Sequence, residues 1–504
     1  MKKIFLIVLL ALFTSCAALK QKLPEREFRG FWVATVVNID WPKNGKDAIE
    51  KQKEDYLKIL DFYDQLNFNT AIVQIRTAGD AFYPSDYAPW SQYLTGEQGI
   101  APDTEENLLA WMISETHERG MEFHAWLNPY RATFDLNTTL LSEQHDYYTH
   151  PDWMVKYGKK YYYNPGEPAV QDHMIALIDE IVKNYTIDAI HFDDYFYPYK
   201  ITGETFNDVA AFNLYKLPNQ TIEDWRRSSI DSLIRKTHYA IKKEKPWVQF
   251  GVSPFGVWKN KATDSRGSDT QAGQTTYDDL YADPLLWMQE GWIDYIIPQA
   301  YWSIALPVAS HKTIMEWWAA NSPNTNLYMG NGPYKIRNNS DKAWDNKKEL
   351  PNQIKLGRKT PNIQGNAFFS AKSLMNDHED VVNILKRKYY SKIALNPSTP
   401  NRIGNKIAIP KIVRIHKTNT SVNIQFNGLE NFRYGLAFGA KKSGKNQLKL
   451  KKLLRTKIPL SLNSITLSNT ILKNKKKIAL VFIDKFGQET QPIFINLDQI
   501  VPYD

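Results

Sequence analysis

Two consecutive carboxylates stand at the end of a short apolar run in the middle of the chain. Residues 189–192 have the composition of a buried strand, and Asp193 and Asp194 follow directly. Side chains alternate along a strand, so Asp193 is predicted to point away from the apolar face that Ile190 and Phe192 form. Asp194 lies where the strand becomes a loop and can turn to the same side. Two neighbouring acids raise each other's pKa, which keeps one of them protonated, as hydrolysis of a glycosidic bond requires.

The surroundings of this acid pair favour carbohydrate as its ligand. The run "YFYPY" begins at Tyr195, and the chain is rich in aromatic residues, with 28 tyrosines, 23 phenylalanines and 15 tryptophans. Rings above the pair would stack on sugar rings and exclude water. Three alternatives stay open. The pair could cap a helix, which "YFYPY" makes a poor fit; it could bind a divalent metal with His191 and a histidine such as His124; or it could bind a glycan without turnover.

The chain around this segment alternates short apolar runs with segments of helical periodicity. The clearest helix is predicted at residues 170–185, where six apolar residues form one stripe. Eight strands and eight helices predict a (β/α)8 barrel, an α/β fold, within residues 28–400. A doubly wound sheet would need a glycine-rich turn after its first strand, and "VVNIDWPKNG" is not one. The strands are predicted to begin near residues 28, 70, 122, 189, 249, 295, 327 and 365, and the helices near residues 46, 105, 170, 224, 283, 311, 341 and 372.

In a barrel of this kind the catalytic groups lie at the carboxyl ends of the strands. Polar side chains such as Asn128 and Gln299 stand there inside apolar runs, and buried polar groups cost free energy unless they are paired. The strand ends therefore predict the residues that bind substrate around the catalytic Asp193 and Asp194. These residues are Asp40, Trp41, Arg76, Asn128, His191, Tyr195, Trp258, Gln299, Tyr301 and Trp302.

The last four predicted strands end without a carboxylate, although most two-carboxylate barrels place the partner acid on a different strand. This favours a mechanism in which the substrate's own 2-acetamido group is the nucleophile. One Asp would then be the general acid, and the other would orient the acetamido group, with Tyr301 or Gln299 bonded to it. The hypothesis predicts an N-acetylhexosamine at the cleavage site. A rival hypothesis makes Asp193 a covalent nucleophile and takes the proton donor from a loop acid such as Asp264.

The N-terminal segment predicts export and a lipid anchor. "MKKIFLIVLLALFTSC" has a basic start and an apolar run that is typical of a secretory signal and too short to remain as a membrane helix. Cys16, the sole cysteine in the sequence, ends it in a bacterial lipobox pattern, with Phe13 in place of the more usual leucine. We expect a signal peptide over residues 1–16, a lipid on Cys16 that holds the protein on a membrane, and a linker over residues 17–27. The alternative is an ordinary signal cut near "CAA".

The residues after Cys16 indicate where the anchored protein would reside. The segment "AALKQK" contains no early acidic cluster. Such clusters accompany surface-exposed lipoproteins in some Gram-negative bacteria. We therefore expect a protein anchored in the outer membrane and facing the periplasm.

The last hundred residues differ from the rest in charge and pattern. Residues 401–504 contain 19 Lys and Arg against 5 Asp and Glu, a net charge of +14, so the remaining residues carry −5 of the total of +9. "LNPSTPNRIGN" has the composition of a linker and places a boundary near residue 400. The short alternating strands that follow predict a small β-sandwich of the fibronectin type III kind.

The charge of this basic domain predicts its partner. A positive surface suits an anionic envelope polymer or a membrane surface, and a merely solubilising surface is the alternative. Nucleic acid is not an expected partner for an exported protein. No cofactor and no metal are expected.

Four motifs stand in a fixed order along the chain: "EFRGFWVATVVNIDWP" from residue 27, "AIHFDDYFYPY" from residue 189, "GVSPFGVW" from residue 251 and "IDYIIPQAYW" from residue 293. Together they resemble the bacterial glycosyl-hydrolase-like family ten, a family of lipoproteins. The resemblance implies a (β/α)8 barrel and a glycosidase of the cell envelope, since a relative acts on peptidoglycan glycan strands stripped of their stem peptides. It also implies that the residues lining the site around Asp193 and Asp194 are Arg29, Asp40, Arg76, Asn128, Gln299 and Tyr301. A hydrolase of another polysaccharide and a non-catalytic glycan-binding lipoprotein are the alternatives.

Overall fold

The structure is a computed structural model, and it describes residues 24–322, 324–376, 378–399, 408–443, 447–458, 460 and 463–500. The signal peptide over residues 1–16 and the lipid on Cys16 lie outside these residues and stay predictions, as does the boundary near residue 400. Within the described residues, no helix has the length and the apolar character needed to span a membrane.

Eight parallel strands close into a barrel, which confirms the predicted fold class. Each strand pairs with the next barrel strand along the chain, and the last pairs with the first. All eight begin within two residues of the predicted positions. The barrel strands are β1 Phe28–Val33, β2 Thr70–Arg76, β3 Glu122–Leu127, β6 Ala189–Phe192, β7 Gln249–Val252, β8 Tyr295–Ile296, β9 Asn326–Asn331 and β10 Ile363–Phe368, and the strands β4 Met154–Tyr157 and β5 Lys160–Tyr163 form a hairpin inserted after β3.

Helices cover the outside of the barrel. The predicted apolar stripe of residues 170–185 is buried against the strands, with Leu177 and Ile181 fully inaccessible. The helix predicted near Asp341 begins later, because Asp341 caps a short 3₁₀ turn over Lys342–Asp345 and the α-helix starts only at Glu349. The barrel helices are α1 Ile49–Gln65, α2 Gln92–Thr95, α3 Leu108–Glu118, α4 Asp146–Thr149, α5 Pro168–Asn184, α6 Val209–Tyr215, α7 Ile222–Glu244, α8 Thr276–Asp279, α9 Pro284–Gln289, α10 His311–Asn321, α11 Glu349–Gly357, α12 Lys372–Met375 and α13 Glu379–Ile384.

Aromatic and imidazole rings fill the barrel interior. Phe28 and Tyr328 stack with their ring centroids 3.9 Å apart. Tyr295 has room beside them because residue 251 is a glycine, and a Cβ atom there would lie 2.0 Å from the tyrosine ring. His124 and His191 pack against Tyr295 at centroid distances of 5.3 and 5.8 Å. The interior is therefore a packed layer and forms a solid base beneath the carboxyl ends of the strands.

A second core lies between two antiparallel sheets near the C-terminus, as the sequence predicts. Phe426 of one sheet meets Phe482 of the other with ring centroids 5.0 Å apart. The three-stranded sheet consists of β11 Lys411–Lys417, β12 Ser421–Asn427 and β15 Ser464–Ser468, and the four-stranded sheet consists of β13 Phe432–Ser443, β14 Gln447–Ile458, β16 Lys477–Asp484 and β17 Ile493–Asn496, with a short helix α14 Asn469–Leu472 between β15 and β16.

The four-stranded sheet of this sandwich docks at the amino ends of the barrel strands. Arg433 of β13 forms an ion pair with Asp188, the residue directly before β6. Leu395, which follows the barrel, packs in one cluster with Leu436, Val481 and Ile483 of the sandwich. The basic domain therefore lies at the end of the barrel opposite to the carboxyl ends of the strands.

Candidate active site

A cleft of about 310 Å³ opens at the carboxyl ends of the barrel strands. Residues on or just after all eight strands contribute to its walls. Among the described residues that line it, Asp193 and Asp194 are the only carboxylates. The lining residues are Trp32, Ala34, Val36, Ile39, Gln74, Trp126, Arg131, Asp193, Asp194, Tyr195, Tyr199, Ser253, Gln299, Tyr301, Tyr334 and Phe369.

Asp193 is a buried carboxyl group with the properties of a general acid. Its Oδ2 accepts hydrogen bonds from Trp126 Nε1 at 3.2 Å and from Asn128 Nδ2 at 3.1 Å. Burial and the charge of Asp194 together raise the pKa of Asp193 to about 7, against the opposing effects of Arg131 and the two hydrogen bonds. A carboxyl group with this pKa can hold a proton near neutral pH and release it to a leaving group.

Asp194 is buried in a different set of contacts. It accepts a hydrogen bond from the hydroxyl group of Tyr199, and the side-chain amide of Gln299, which donates to the carbonyl oxygen of Ser253 at 2.9 Å, lies close enough to favour its ionised form. Burial raises the pKa of Asp194 as well, and these two donors oppose that rise. The pKa of Tyr199 is raised by burial and by the neighbouring carboxylate, so its hydroxyl stays protonated and donates. The donors favour the ionised form of Asp194, and because the charge of Asp194 raises the pKa of Asp193, we assign the proton of the pair to Asp193.

Aromatic rings form the walls of the cleft above the acids. Tyr301 and Phe369 stack with centroids 5.8 Å apart, and Tyr334 meets Tyr301 edge-on at 6.0 Å. On the other side, Tyr195 lies 5.3 Å from Tyr199. The rings present flat apolar surfaces next to two acids, which is the chemistry that a sugar ring and its glycosidic bond require.

Beneath the cleft, His191 fixes two of the lining residues. Its Nε2 lies 3.3 Å from Trp32 Nε1 and 3.0 Å from Ser253 Oγ. Burial and the neighbouring His124 lower the pKa of His191 well below its ordinary value, so the ring is neutral. Because the indole can only donate, Nε2 is the acceptor and Nδ1 carries the proton.

A chain of hydrogen bonds runs from His191 away from the cleft. His191 Nδ1 donates to the hydroxyl of Tyr295 at 3.0 Å, and this hydroxyl donates to His124 Nδ1 at 2.8 Å. His124 Nε2 then faces Glu122 Oε2 at 3.2 Å, near the amino end of the barrel. The relay of Glu122, His124, Tyr295 and His191 holds the base of the cleft in a single arrangement.

The comparisons with known proteins bear on this site. The family model described as Glycosyl hydrolase-like 10 matches residues 27–346. The chain belongs to this family. It is 46% identical over 397 residues to the glycosyl hydrolase YngK of Bacillus subtilis, covering 78% of this chain and 77% of that protein. It is 36% identical over 368 residues to the glycosyl hydrolase DigH of Escherichia coli, covering 68% of this chain and 83% of that protein.

Among solved structures, the glycoside hydrolase domain of PgaB from Bordetella bronchiseptica aligns with a TM-score of 0.47 and 11% identity, covering 72% of this chain and 99% of that one. The family membership itself rests on the sequence matches, which confirm the predicted family. This chain is accordingly a glycoside hydrolase of the glycosyl hydrolase-like 10 family. A polysaccharide is its substrate.

The structure brings together part of the predicted site. Asn128 lies behind the cleft against Asp193, and Trp302 packs against Phe255 with centroids 5.5 Å apart, outside the lining residues. The predicted residues that line the cleft of this family member are Asp193, Asp194, Tyr195, Gln299 and Tyr301.

Both predicted arginines lie away from the cleft, which corrects their assignment to substrate binding. Arg29 is fully buried, and its Nε donates to Glu27 at 2.7 Å while its guanidinium stacks on Tyr390 at 4.5 Å. Arg76 is fully buried beside Tyr163, to whose hydroxyl it donates at 3.4 Å. Both guanidinium groups are buried against internal partners, although Arg29 Nη2 and Arg76 Nε have no hydrogen-bond partner among the described residues.

Four further predicted residues are also structural. Asp40 accepts from the Ser370 hydroxyl at 2.7 Å and so ties the loop after β1 to the loop after β10. The indole of Trp41 donates to a carbonyl group of α1, and that of Trp258 donates to Asp283 at 3.2 Å. His191 acts from beneath the cleft. Each side chain has an internal partner in place of a substrate contact.

Several residues that line the cleft are not among those predicted from the sequence. Trp126 stands two residues before Asn128 and therefore on the same face of β3. Tyr199 belongs to the aromatic run after β6. Trp32 and Phe369 come from β1 and from the residue just after β10. Strand alternation could have found Trp126, whereas the position of Phe369 depends on how the barrel closes.

The metal alternative requires His124 and His191 to converge with Asp193. Both histidines instead face the hydroxyl of Tyr295. Across the ranges that the structure describes, no group of three or more His, Cys, Asp or Glu residues is arranged to hold a metal ion.

Proposed function

We propose that this protein hydrolyses glycosidic bonds in a polysaccharide that contains N-acetylhexosamine, in the form of peptidoglycan glycan strands without stem peptides. The observation that carries the proposal is the pairing of Asp193 and Asp194 as the only carboxylates among the described lining residues. A second acid on another strand, as a two-carboxylate mechanism uses, is missing from that set. The 2-acetamido group of the substrate supplies the nucleophile in its place.

The two acids take different parts in this reaction. Asp193 gives its proton to the leaving oxygen as the acetamido carbonyl oxygen attacks the anomeric carbon and forms a cyclic intermediate. Asp194, ionised between Tyr199 and Gln299, accepts the acetamido N–H and stabilises the positive charge that develops there. Water then opens the intermediate and returns a proton to Asp193. In this proposal Tyr301, on the wall above, donates its hydroxyl hydrogen to the acetamido group.

We further propose that the protein acts in the cell envelope, exported and anchored by a lipid on Cys16 in the outer membrane, facing the periplasm. The basic domain then meets an anionic envelope polymer or membrane surface. The support is the signal pattern of residues 1–16 and the net charge of +14 in residues 401–504. Expression of the full chain and of Cys16→Ser with labelled palmitate tests the anchor. We expect the unsubstituted chain to incorporate the label and to fractionate with the outer membrane, and Cys16→Ser to do neither. Absence of label from both proteins would contradict the lipid anchor.

The reaction is tested by digestion. Protein lacking residues 1–16 is incubated with intact peptidoglycan and with amidase-stripped glycan strands, and soluble sugars are analysed by mass spectrometry. We expect release of oligomers of N-acetylglucosamine and N-acetylmuramic acid from the stripped strands alone. Asp193→Asn and Asp194→Asn should each lower the rate by at least about 100-fold.

The matched control is Asp264→Asn, which removes a carboxylate that is ion-paired with Arg266 outside the cleft. Full activity is expected for this variant, because its carboxylate takes no part in the reaction. Loss of activity in Asp264→Asn, or trapping of a fluorinated sugar on Asp193, would favour the covalent mechanism instead. Glycan binding without release of sugars would make the protein a binding lipoprotein.

A further inference from the structure

One cation lies in the cleft with the two acids. Arg131 follows β3 and lines the cleft, and the residue as a whole is 7% exposed. The guanidinium lies over the ring of Tyr195, 4.7 Å from the centroid. Stacking of this kind holds the plane of the group while leaving its N–H edges available for other partners.

The hydrogen-bonding capacity of Arg131 is largely unused. Its guanidinium has five N–H donors. Its Nη1 donates to the carbonyl oxygen of Thr77 at 3.4 Å, the long limit for such a bond. Among the residues that the structure describes, no carboxylate approaches this guanidinium within ion-pair distance, although it opposes the rise in the pKa of Asp193 from further away. A nearly buried cation with free donors facing a cleft is prepared for an anionic group of a ligand.

Two other cations near the cleft have internal partners. Arg76 is enclosed by Tyr163 and the backbone of Asp80. Lys200, just after Tyr199, forms an ion pair with Asp279 at 2.7 Å. Two contacts fix the position of Arg131. Its guanidinium stacks on Tyr195, and its backbone N–H donates to Asn128 Oδ1 at 2.9 Å. Arg131 is therefore a fixed cation that the protein's own carboxylates leave uncompensated at contact distance.

We propose that Arg131 binds a carboxylate carried by the substrate sugar beside the scissile bond, and so selects glycan strands in which that carboxylate is free. The inference rests on the proposed function. In peptidoglycan, the lactyl group of N-acetylmuramic acid bears such a carboxylate when no stem peptide is attached. A stem peptide converts it to an amide, which removes the charge and adds bulk at the same point. Recognition of the free carboxylate by the planar guanidinium of Arg131 would thus be enough to select stripped strands over strands that carry stem peptides.

The test compares three substrates: stripped strands, the same strands with the lactyl carboxylates converted to methylamides, and neutral oligomers of N-acetylglucosamine. Wild type should prefer the free carboxylate over the methylamide by about tenfold or more in kcat/KM. In Arg131→Gln that preference should disappear, through a rise in KM on the free carboxylate with little change on the methylamide. Arg131→Lys should keep part of this preference, because lysine retains the positive charge but lacks the planar guanidinium that can donate two parallel hydrogen bonds to a carboxylate.

Lys200→Gln is the matched control, since it removes an equal charge near the cleft whose partner is Asp279, and its preference should equal that of wild type. Melting temperatures confirm that each variant is folded. Equal preference of wild type for both strand forms would overturn the proposal. So would an equal loss in Arg131→Gln on both forms, which would mean that Arg131 acts on the acid pair.

Failure of the proposed function gives a different result. If wild type cleaves neither strand form, the peptidoglycan glycosidase assignment fails whatever happens to the neutral oligomers. The carboxylate site is then judged by calorimetric binding of the two strand forms to wild type and Arg131→Gln. Tighter binding of the free form by wild type alone would support the site, and equal affinities would overturn it.

Discussion

Asn128 donates a hydrogen bond to Asp193, from Nδ2 to Oδ2, over 3.1 Å. The direction of this bond is set by the other end of the amide, because Asn128 Oδ1 accepts the backbone N–H of Arg131. The bond favours the ionised form of Asp193 and so restrains the rise of its pKa. Burial and Asp194 push the pKa the other way. The proton affinity of the candidate acid is therefore a balance that this amide adjusts.

Replacing Asn128 should change the pH dependence of catalysis. Activity requires protonated Asp193, so kcat/KM should fall as the pH rises through about 7. In Asn128→Ala the restraint is lost, the pKa of Asp193 rises, and the alkaline limb should move up by about one pH unit. Trp126→Phe, which removes the other donor, should move the limb in the same direction. A pH profile that stays in place in both variants would contradict the assignment of Asp193 as the acid.

The raised pKa of Asp193 also predicts a gain in stability on neutralising it. The folded protein binds this proton more tightly than the unfolded chain does, so the stabilisation present at low pH is lost as the pH rises from the ordinary Asp value to about 7. Above pH 7, Asp193→Asn should raise the free energy of unfolding by up to about 4 kcal/mol, with little change at pH 3. Urea unfolding at several pH values measures this. Asp264→Asn, at an exposed ion pair, should give no such gain; a similar gain there would argue against burial as the cause.

The relay beneath the cleft predicts a cost for removing one hydroxyl. Tyr295→Phe removes the hydroxyl that accepts from His191 Nδ1–H and donates to His124 Nδ1, and the loss of these two buried hydrogen bonds should destabilise the fold by about 1–3 kcal/mol. Trp32 should also lose its fixed orientation, so KM should rise. Tyr130→Phe is the matched control, because the Tyr130 hydroxyl is buried and has no hydrogen-bond partner among the described residues. Equal stability of the two variants in thermal melting would show that the relay contributes nothing.

The hydroxyl of Tyr301 predicts a separate effect on the chemical step. If it donates to the acetamido oxygen as that atom attacks, Tyr301→Phe should lower kcat by about 10–100-fold with little change in KM. Tyr334→Phe, on the ring that meets Tyr301 edge-on at 6.0 Å, should keep kcat near that of wild type. A rise in KM alone for Tyr301→Phe would assign the hydroxyl to ground-state binding.

The strands and the acid pair are predictable because they depend on local pattern. A buried parallel strand needs a continuous apolar run, and a side chain that follows it must face the carboxyl end of the barrel. Asp193, Gln299 and Tyr301 satisfy that rule and line the cleft. Arg29 and Arg76 are also polar residues in apolar strands, yet Arg29 lies beside Glu27 and Arg76 beside Tyr163. A strand position leaves the direction and the partner of a long side chain undecided.

The sequence by itself determined the barrel, the order of its strands, the aromatic surroundings and the adjacent acids, because each follows from periodicity or adjacency along the chain. The tertiary structure alone decided which acid holds the proton. Trp126, Asn128, Tyr199 and Gln299 come from separate segments, and a pKa depends on burial and on every charge and donor in contact. It also decided that Arg131 shares the cleft with the acids without pairing with them. Both results depend on distances between residues that are far apart in the sequence, and the pattern of residues along the chain does not contain those distances.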